Sequence, residues 1–173
     1  MKRFWICFSL AILTMLAGGC KPSSSSSAPA AAATLRGYPT EAQPKLPTIK
    51  LWIGPQEMIA EMALTEKQEQ TGMMFRTNMA ENEGMLFVMP YPLQARFWMY
   101  QTVLPLSCAY ITADGTIAEI HDLQPHDTNE VVSKTDDILY VLETKQGWFK
   151  RNNIGVGTVI TTDRGPLRKV FQH

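Results

Sequence analysis

Methionine is the residue type in this chain that offers the most specific chemistry. Six of the ten methionines lie between Thr71 and Thr102, in the stretch TGMMFRTNMAENEGMLFVMPYPLQARFWMYQT. A thioether is a soft ligand that binds Cu(I), and His121 and His126 in HDLQPHD could complete such a site. Methionine also fills gaps in hydrophobic cores. Each methionine in the expected strands shares its face with aromatic or branched neighbours, so the pattern favours a core and leaves Cu(I) handling as an alternative.

A second candidate site is an alternating stripe in ARFWMYQT. On a strand, alternate side chains project from one face. That face would carry four residues: Arg96, Trp98, Tyr100 and Thr102. Tryptophan and tyrosine give contact area for a sugar ring or a peptide, and the loop from Arg76 to Glu83 would form the other side of the groove. The stripe therefore predicts a binding site, with Trp98 closing the end of a barrel as the alternative.

Residues for catalysis are present, but no pattern brings them together. Ser107, His121 and Asp122 are the types that a serine hydrolase uses, yet no Gly-x-Ser-x-Gly elbow is present. Cys108 falls on an apolar strand, whereas a reactive thiol needs an accessible, electropositive setting. An enzyme of another kind would have to use carboxylates, namely Glu83, Asp122 and Glu143. No catalytic residue is assigned, and an enzyme of unknown chemistry is kept only as an alternative.

The N-terminus is typical of an exported protein. Lys2 and Arg3 precede a mostly apolar stretch over residues 4–16, which is shorter than the roughly 20 residues of a membrane-spanning helix and suits a secretory signal. The following LAGGC resembles the lipobox of bacterial lipoproteins, in which the cysteine is acylated, for example by palmitate. We therefore expect a signal peptide over residues 1–19 and lipidation at Cys20. Simple secretion and a retained anchor are the alternatives.

The chain then divides into a tether and a domain. Residues 20–46 are rich in Ser, Ala and Pro, a composition that favours a flexible linker, and residues 47–173 are long enough for one globular domain. Lys21, rather than Asp, follows the cysteine, which by resemblance to lipoprotein sorting in Gram-negative bacteria favours the outer membrane. The predicted location is the bacterial cell envelope, anchored to the membrane through the lipid and facing the periplasm.

Charge and cysteine content limit the possible partners. Loss of the signal removes two of the 16 basic side chains and none of the 16 acidic ones, so the mature chain has a net charge of −2. Such a balance gives no basic face for nucleic acid. Of the three cysteines, Cys7 leaves with the signal and Cys20 carries the lipid. Cys108 is then the only thiol, which excludes an intramolecular disulfide. No cofactor is expected, apart from Cu(I) in the alternative above.

The periodicity predicts many short strands and two short helices. A capping box at Thr65 and Gln68 starts a helix that should run to about Met74, and a second, Thr-capped helix is expected over 144–153. Asp114-Gly115 predicts a type I′ hairpin turn. Strands are expected over the following ranges: 48–54, 57–64 (with a helix as the alternative), 84–90, 95–102, 106–120 (two strands), 137–143 and 157–162. The fold class is therefore α+β and β-rich, a single compact domain whose mostly antiparallel sheet curls or closes into a barrel.

Five blocks in order resemble the bacterial family of domain of unknown function 192 (DUF192). They are GMMFR, ENEGMLFVM, FWMYQTVLPL, ADGTIAEI and ETKQGWFKRNNIGVG, between Ile59 and Ile160. The resemblance implies a compact β-rich domain with a short helix on either side of the main sheet, and it implies no reaction. Tyr100-Gln101 stands where the family usually has Lys-Asn, and Ser107 where it usually has Asp. The favoured function is a non-catalytic, lipid-anchored envelope module that binds a small ligand or a partner protein.

Overall fold

The computed structural model describes residues 37–171, and this part contains ten strands and three short helices. The strands are β1 (Thr48–Ile53), β2 (Gln56–Ala63), β3 (Glu83–Leu93), β4 (Arg96–Phe97), β5 (Leu106–Thr112), β6 (Ile117–Leu123), β7 (Val131–Val132), β8 (Ile138–Lys145), β9 (Ile160–Thr162) and β10 (Gly165–Pro166). The helices are α1 (Glu66–Thr71), α2 (Trp148–Arg151) and α3 (Leu167–Phe171).

Eight strands form one curled sheet in the order β10-β9-β1-β2-β3-β8-β5-β6, and β4 and β7 form a separate pair. Among the strands of residues 37–171, only β2 and β3 pair in parallel, because the crossover through α1 brings the chain back to the same end of the sheet. The β5–β6 turn reaches the segment before β9, where Thr116 pairs with Val159. The sheet curls without closing into a barrel, so the predicted β-rich, mostly antiparallel fold is confirmed.

The two faces of the sheet are covered by different elements. On one face, the ring of Tyr140 lies 5.9 Å from that of Phe171 in α3. On the other face, Phe97 of β4 packs 4.9 Å from Phe87 of β3 and 6.1 Å from Tyr110 of β5. The two-stranded β4–β7 sheet is therefore a cover over the face of the main sheet that carries Phe87 and Tyr110.

The predicted capping box starts α1. The Thr65 hydroxyl accepts a hydrogen bond from the Gln68 amide at 3.3 Å, and the Gln68 side chain accepts one from the Thr65 amide at 3.1 Å. The helix ends at Thr71, before the predicted end near Met74. Gly72 takes a positive φ of 46° there, a conformation that glycine adopts readily.

The strand predicted over 95–102 is wrong beyond Phe97. Its partner β7 offers only two residues for pairing, and the chain then turns, with Gln101 at a positive φ of 52°. The amide of Met99 donates to Asp127 O at 2.7 Å in place of a ladder bond. Alternating aromatic residues resemble a strand in sequence, but the available partner strand decides how far the pairing extends.

Two local details also differ from prediction. The β5–β6 hairpin forms as expected, but only Gly115 has a positive φ, so the turn is not type I′; the Asp114 carboxylate instead accepts from the Thr116 amide at 3.1 Å. The second helix is shorter than predicted and has no threonine cap. Gly147, in the left-handed region, occupies its N-cap.

The segment before β1 packs on the domain from Gly37 onward. The Gln43 amide group donates to Gln68 O and Gly72 O at 3.2 and 2.9 Å, and the Leu46 amide donates to Glu61 at 2.7 Å. The described residues thus begin ahead of Pro47, the expected start of the domain. The predicted signal peptide, Cys20 and residues 21–36 lie outside the described part. Within residues 37–171, no helix has the length and apolar character needed to cross a bilayer.

Candidate ligand-binding cavity

A cavity of about 420 Å³ lies between the main sheet and its cover. Phe87 and Met89 of β3 and Glu143 of β8 contribute to its lining. The remaining walls come from α1 with the turn after it, from β4 with its flanking residues, and from three further side chains. These residues are Glu69, Gln70, Thr71, Gly72, Met73, Met74, Leu93, Gln94, Ala95, Arg96, Phe97, Trp98, Tyr38, Thr102 and Glu130. We call it the Glu143 cavity.

Glu143 is the unusual member of this lining. It lies in the central strand β8, opposite Met85 on β3 and Cys108 on β5, and it is only 4% exposed. Its Oε2 has no hydrogen-bond partner among the described residues. Burial raises the pKa of Glu143 to about 8, so the group is mostly protonated at neutral pH and presents an unpaired polar atom to the cavity.

The neighbours of Glu143 do not supply a compensating charge. Cys108 and Tyr110 on β5 are fully buried, and burial raises the pKa of both side chains. On the next strand, His121 lies opposite Cys108 and its Nε2 lies 3.0 Å from Glu119 Oε2. The burial predicted for Cys108 is confirmed. The nearest histidine is thus engaged by a carboxylate of its own strand.

The charged groups at the outer part of the cavity are mostly acidic. Glu69 on α1 is half-buried, and burial together with Glu66 raises its pKa. Glu130 is exposed and pairs with Arg96, Nη1 to Oε2 at 3.2 Å. Arg96 also donates from Nη2 to Gln94 Oε1 at 2.9 Å. The one arginine that lines the cavity is therefore already committed to two acceptors.

An aromatic cluster stands at one side of the cavity. Trp98 and Tyr100 stack with ring centroids 5.4 Å apart and planes at 30°. Tyr38 contacts both rings, at 5.5 and 5.4 Å. Tyr38 and Trp98 line the cavity, whereas Tyr100 does not. The segment ahead of the domain thus completes a wall of the site.

The predicted groove is divided into two separate concavities. Arg96, Trp98 and Thr102 line the Glu143 cavity, whereas Arg76 and Glu83 line a depression of about 350 Å³ elsewhere. Arg76 makes a bidentate pair with Glu61, at 3.2 and 3.0 Å. Glu83 accepts from the Ala80 amide at 2.9 Å. Arg76 and Glu83 therefore stabilise the loop to which they belong, and they do not line the Glu143 cavity.

The methionines of this stretch belong to the hydrophobic core, and some of them also line the Glu143 cavity. All six in the methionine-rich stretch are at most 7% exposed, which confirms their predicted burial. Three of them, Met73, Met74 and Met89, also line the Glu143 cavity. Sequence reasoning did not include these three, or Glu143, in the binding site. The available signal was a lone glutamate within the apolar strand DILYVLE.

The residues considered for copper or hydrolysis do not assemble into a site with three titratable donors. Among residues 37–171, no group of three or more His, Cys, Asp or Glu side chains is placed to hold a metal ion. His121 contacts Glu119, and His126 is exposed in a loop with a positive φ of 63°. A Cu(I) site that uses thioethers stays a prediction.

Ser107 and Asp122 form a hydrogen bond, with the serine hydroxyl donating. The same hydroxyl accepts from the Gly147 amide at 2.8 Å. His121 precedes Asp122 on β6, so its side chain projects from the opposite face of the strand. The three residues therefore do not form a catalytic triad.

Two solved protein structures are similar to this fold. A crystal structure from Sinorhizobium meliloti 1021, of a protein proposed to be a transcription regulator, aligns with a TM-score of 0.66 and 28% identity over 70% of this chain and 98% of that one. A protein of unknown function from Novosphingobium aromaticivorans DSM 12444 aligns with a TM-score of 0.63 and 27% identity over 83% and 99%. No curated protein matches the sequence.

The sequence model of one protein family covers most of the described domain. The family is DUF192, described as "Uncharacterized ACR", and it matches residues 49–162. That range runs from β1 through β9 and includes Glu143 together with most of the cavity wall. The chain belongs to the DUF192 family.

Proposed function

We propose that this domain is a non-catalytic binding module that holds one small organic molecule in the Glu143 cavity. The observation that carries the proposal is the buried carboxyl group of Glu143, whose Oε2 has no partner among the described residues and which lines a cavity with both apolar and polar walls. A cavity of about 420 Å³ lies within the usual size of small-molecule sites. Such sites commonly combine apolar walls with a few polar groups that fix the orientation of the ligand.

The energetics of Glu143 favour an occupant. A buried polar group without a hydrogen bond costs on the order of 1–3 kcal/mol, and a ligand group that pairs with Oε2 would remove that cost. The thioethers of Met73, Met74 and Met89 suit this role, because unbranched methionine side chains adapt their shape to what they contact. The cavity therefore offers one unpaired buried polar atom beside adaptable apolar side chains.

A non-catalytic role agrees with the groups that line the cavity. Activation of a side-chain nucleophile commonly needs an adjacent general base within hydrogen-bond reach. Oε2 of Glu143 has no hydrogen-bond partner in the described part of the chain, and Cys108 beside it is buried with a raised pKa. The described part of the cavity lining therefore offers no side-chain nucleophile with an adjacent base.

The proposal includes attachment to the cell envelope. Its support is the apolar N-terminal stretch followed by LAGGC, and Tyr38 links the start of the domain to the cavity wall. Replacement Cys20→Ala in the native host is expected to move the protein from the membrane fraction to the soluble fraction. Retention of the variant in the membrane fraction would contradict lipid anchoring and would leave the cavity proposal intact.

Methionine methyl NMR tests the cavity directly. The protein, labelled with ¹³C at the methionine methyl groups, would be titrated with pools of small envelope metabolites. Binding in the cavity is expected to shift the signals of Met73, Met74 and Met89. Met58, which is buried but does not line the cavity, is the internal control. If no pool shifts the three signals, or if every ligand shifts Met58 equally, the proposed function is wrong.

A further inference from the structure

We infer that the occupant of the Glu143 cavity is an organic cation, an ammonium group carried on an alkyl or aryl body. This inference rests on the proposed function and specifies its ligand class. It draws on three features of the cavity: the unpaired buried carboxyl group, the excess of acidic over basic lining residues, and the aromatic and thioether walls.

The charges of the lining disfavour an anion. Three carboxyl groups, those of Glu69, Glu130 and Glu143, face one arginine, and no lysine lines the cavity. Arg96 already contacts Glu130 and Gln94, so an incoming carboxylate or phosphate would have to compete with both acceptors. Because Glu143 is mostly protonated at neutral pH and Glu130 is paired with Arg96, the described lining has no unpaired cationic side chain for an anion, whereas a cation could pair with Glu143 once that group ionises.

The walls also suit a cation with an apolar body. Phe87, Phe97 and Trp98 all line the cavity, and the faces of aromatic rings attract ammonium groups. Met73 and Met89 add polarizable sulfur to the same lining. The body of the ligand would contact these groups while its ammonium group pairs with Glu143.

A neutral hydrogen-bond acceptor is the competing occupant, and pH separates the two. Protonated Glu143 could donate to a carbonyl group, whereas an ammonium group needs the ionised form. Binding of a cation should therefore release a proton and strengthen as pH rises. The groups that face Glu143 are Cys108 and Tyr110 from β5, with Glu119 and His121 beyond them on β6, and Glu69, Glu130 and Arg96 around the cavity.

Calorimetry with matched probes tests the inference. The probes are three amines of increasing size (butylamine, 2-phenylethylamine and tryptamine) with the alcohol and carboxylate analogue of each. At least one amine is expected to bind at least tenfold more tightly than its analogues. Its affinity should rise about tenfold from pH 6 to pH 7. Glu143→Gln should lose at least tenfold in affinity together with the pH dependence. Glu57→Gln, on the same sheet but outside the cavity, is the matched control.

The outcomes distinguish the two proposals. If an alcohol or carboxylate binds as tightly as its amine, or if amine affinity is flat or falls with pH, the occupant is not a cation, while the binding function stands. If no amine binds, the cation inference is overturned. The methionine methyl screen then decides separately whether any other molecule occupies the cavity.

Discussion

Glu143 should make the stability of this protein fall as pH rises from about 5 to 8. Burial raises the pKa of Glu143 from the ordinary value of 4.5 to about 8. Between those two values the folded protein keeps the proton and the unfolded chain has lost it. Because the folded state then binds more protons, the free energy of unfolding decreases with pH. The stabilising protonated form is fully present below 4.5 and is lost as pH rises through about 8.

The size of the change in the free energy of unfolding follows from the difference between the two pKa values of Glu143. Each pKa unit corresponds to about 1.4 kcal/mol, so the gap from 4.5 to about 8 is worth about 5 kcal/mol in total. Roughly 3–4 kcal/mol of that change falls between pH 5 and pH 8. A domain of this size is commonly stable by about 5–15 kcal/mol. The ionisation of one side chain would therefore remove a large share of the stability.

Urea unfolding at pH 5, 6.5 and 8 measures the effect. The wild-type protein and Glu143→Gln would be compared, since glutamine keeps the shape of the side chain and does not titrate. The advantage of the wild type over the variant should shrink by roughly 3–4 kcal/mol across this range. Other groups, such as half-buried Glu69 with its raised pKa, titrate in both proteins and cancel. Cys108 and Tyr110, with ordinary values of 9.0 and 10.0, titrate above the range.

A constant difference between wild type and Glu143→Gln at the three pH values would refute this reasoning. It would mean that the carboxyl group reaches water, or a cation, in the folded protein. Glu57→Gln provides the comparison for a solvated carboxylate, because Glu57 is exposed and pairs with Lys50 at the surface. Its difference from wild type should vary little over the same range.

Three further predictions concern packing and local structure. Gly84→Ala should destabilise the domain by roughly 1–3 kcal/mol, because its Cβ would lie 2.8 Å from Met58 Sδ and 2.9 Å from a backbone carbonyl. Gly155→Ala, with open space around it, is the control, and equal urea midpoints for the two variants would contradict the packing. Cys108, fully buried with a raised pKa, should react with iodoacetamide only on unfolding; rapid labelling of the native protein would show that it is accessible. Thr65→Ala should cost about 1 kcal/mol through loss of the helix cap, and an unchanged midpoint would show that the cap contributes nothing.

The elements that sequence predicted best are those fixed by short-range interactions. The capping box of Thr65 and Gln68 joins groups three residues apart, so its pattern is complete within one helical turn. The β5–β6 hairpin is also local, although Asp114 accepts hydrogen bonds in the turn rather than adopting a positive φ. The segment 95–102 failed because the two-residue strand β7 limits its pairing. That limit is imposed by a part of the chain more than thirty residues away.

The candidate site was predicted only in part for the same reason. Arg96, Trp98 and Thr102 were named, and the structure brings all three to one cavity. Glu143 was considered only as a catalytic carboxylate, because its place beside Met85 depends on the pairing of β3 with β8. Tyr38 lies in a stretch whose composition predicts a flexible linker, and only its ring contacts show that it belongs to the wall. Register and long-range contact cannot be inferred from composition.

A methionine can belong to the hydrophobic core and line a cavity at the same time. Met73 and Met89 belong to the hydrophobic cluster of the domain and also line the Glu143 cavity. A side chain of this kind is shielded from water whether the cavity is empty or filled, so burial alone does not identify its role. What separates a binding wall from ordinary packing is the unpaired polar atom beside it, because well-packed cores seldom contain one. Glu143, rather than the number of methionines, is therefore what supports the proposal that this part of the core is also a site.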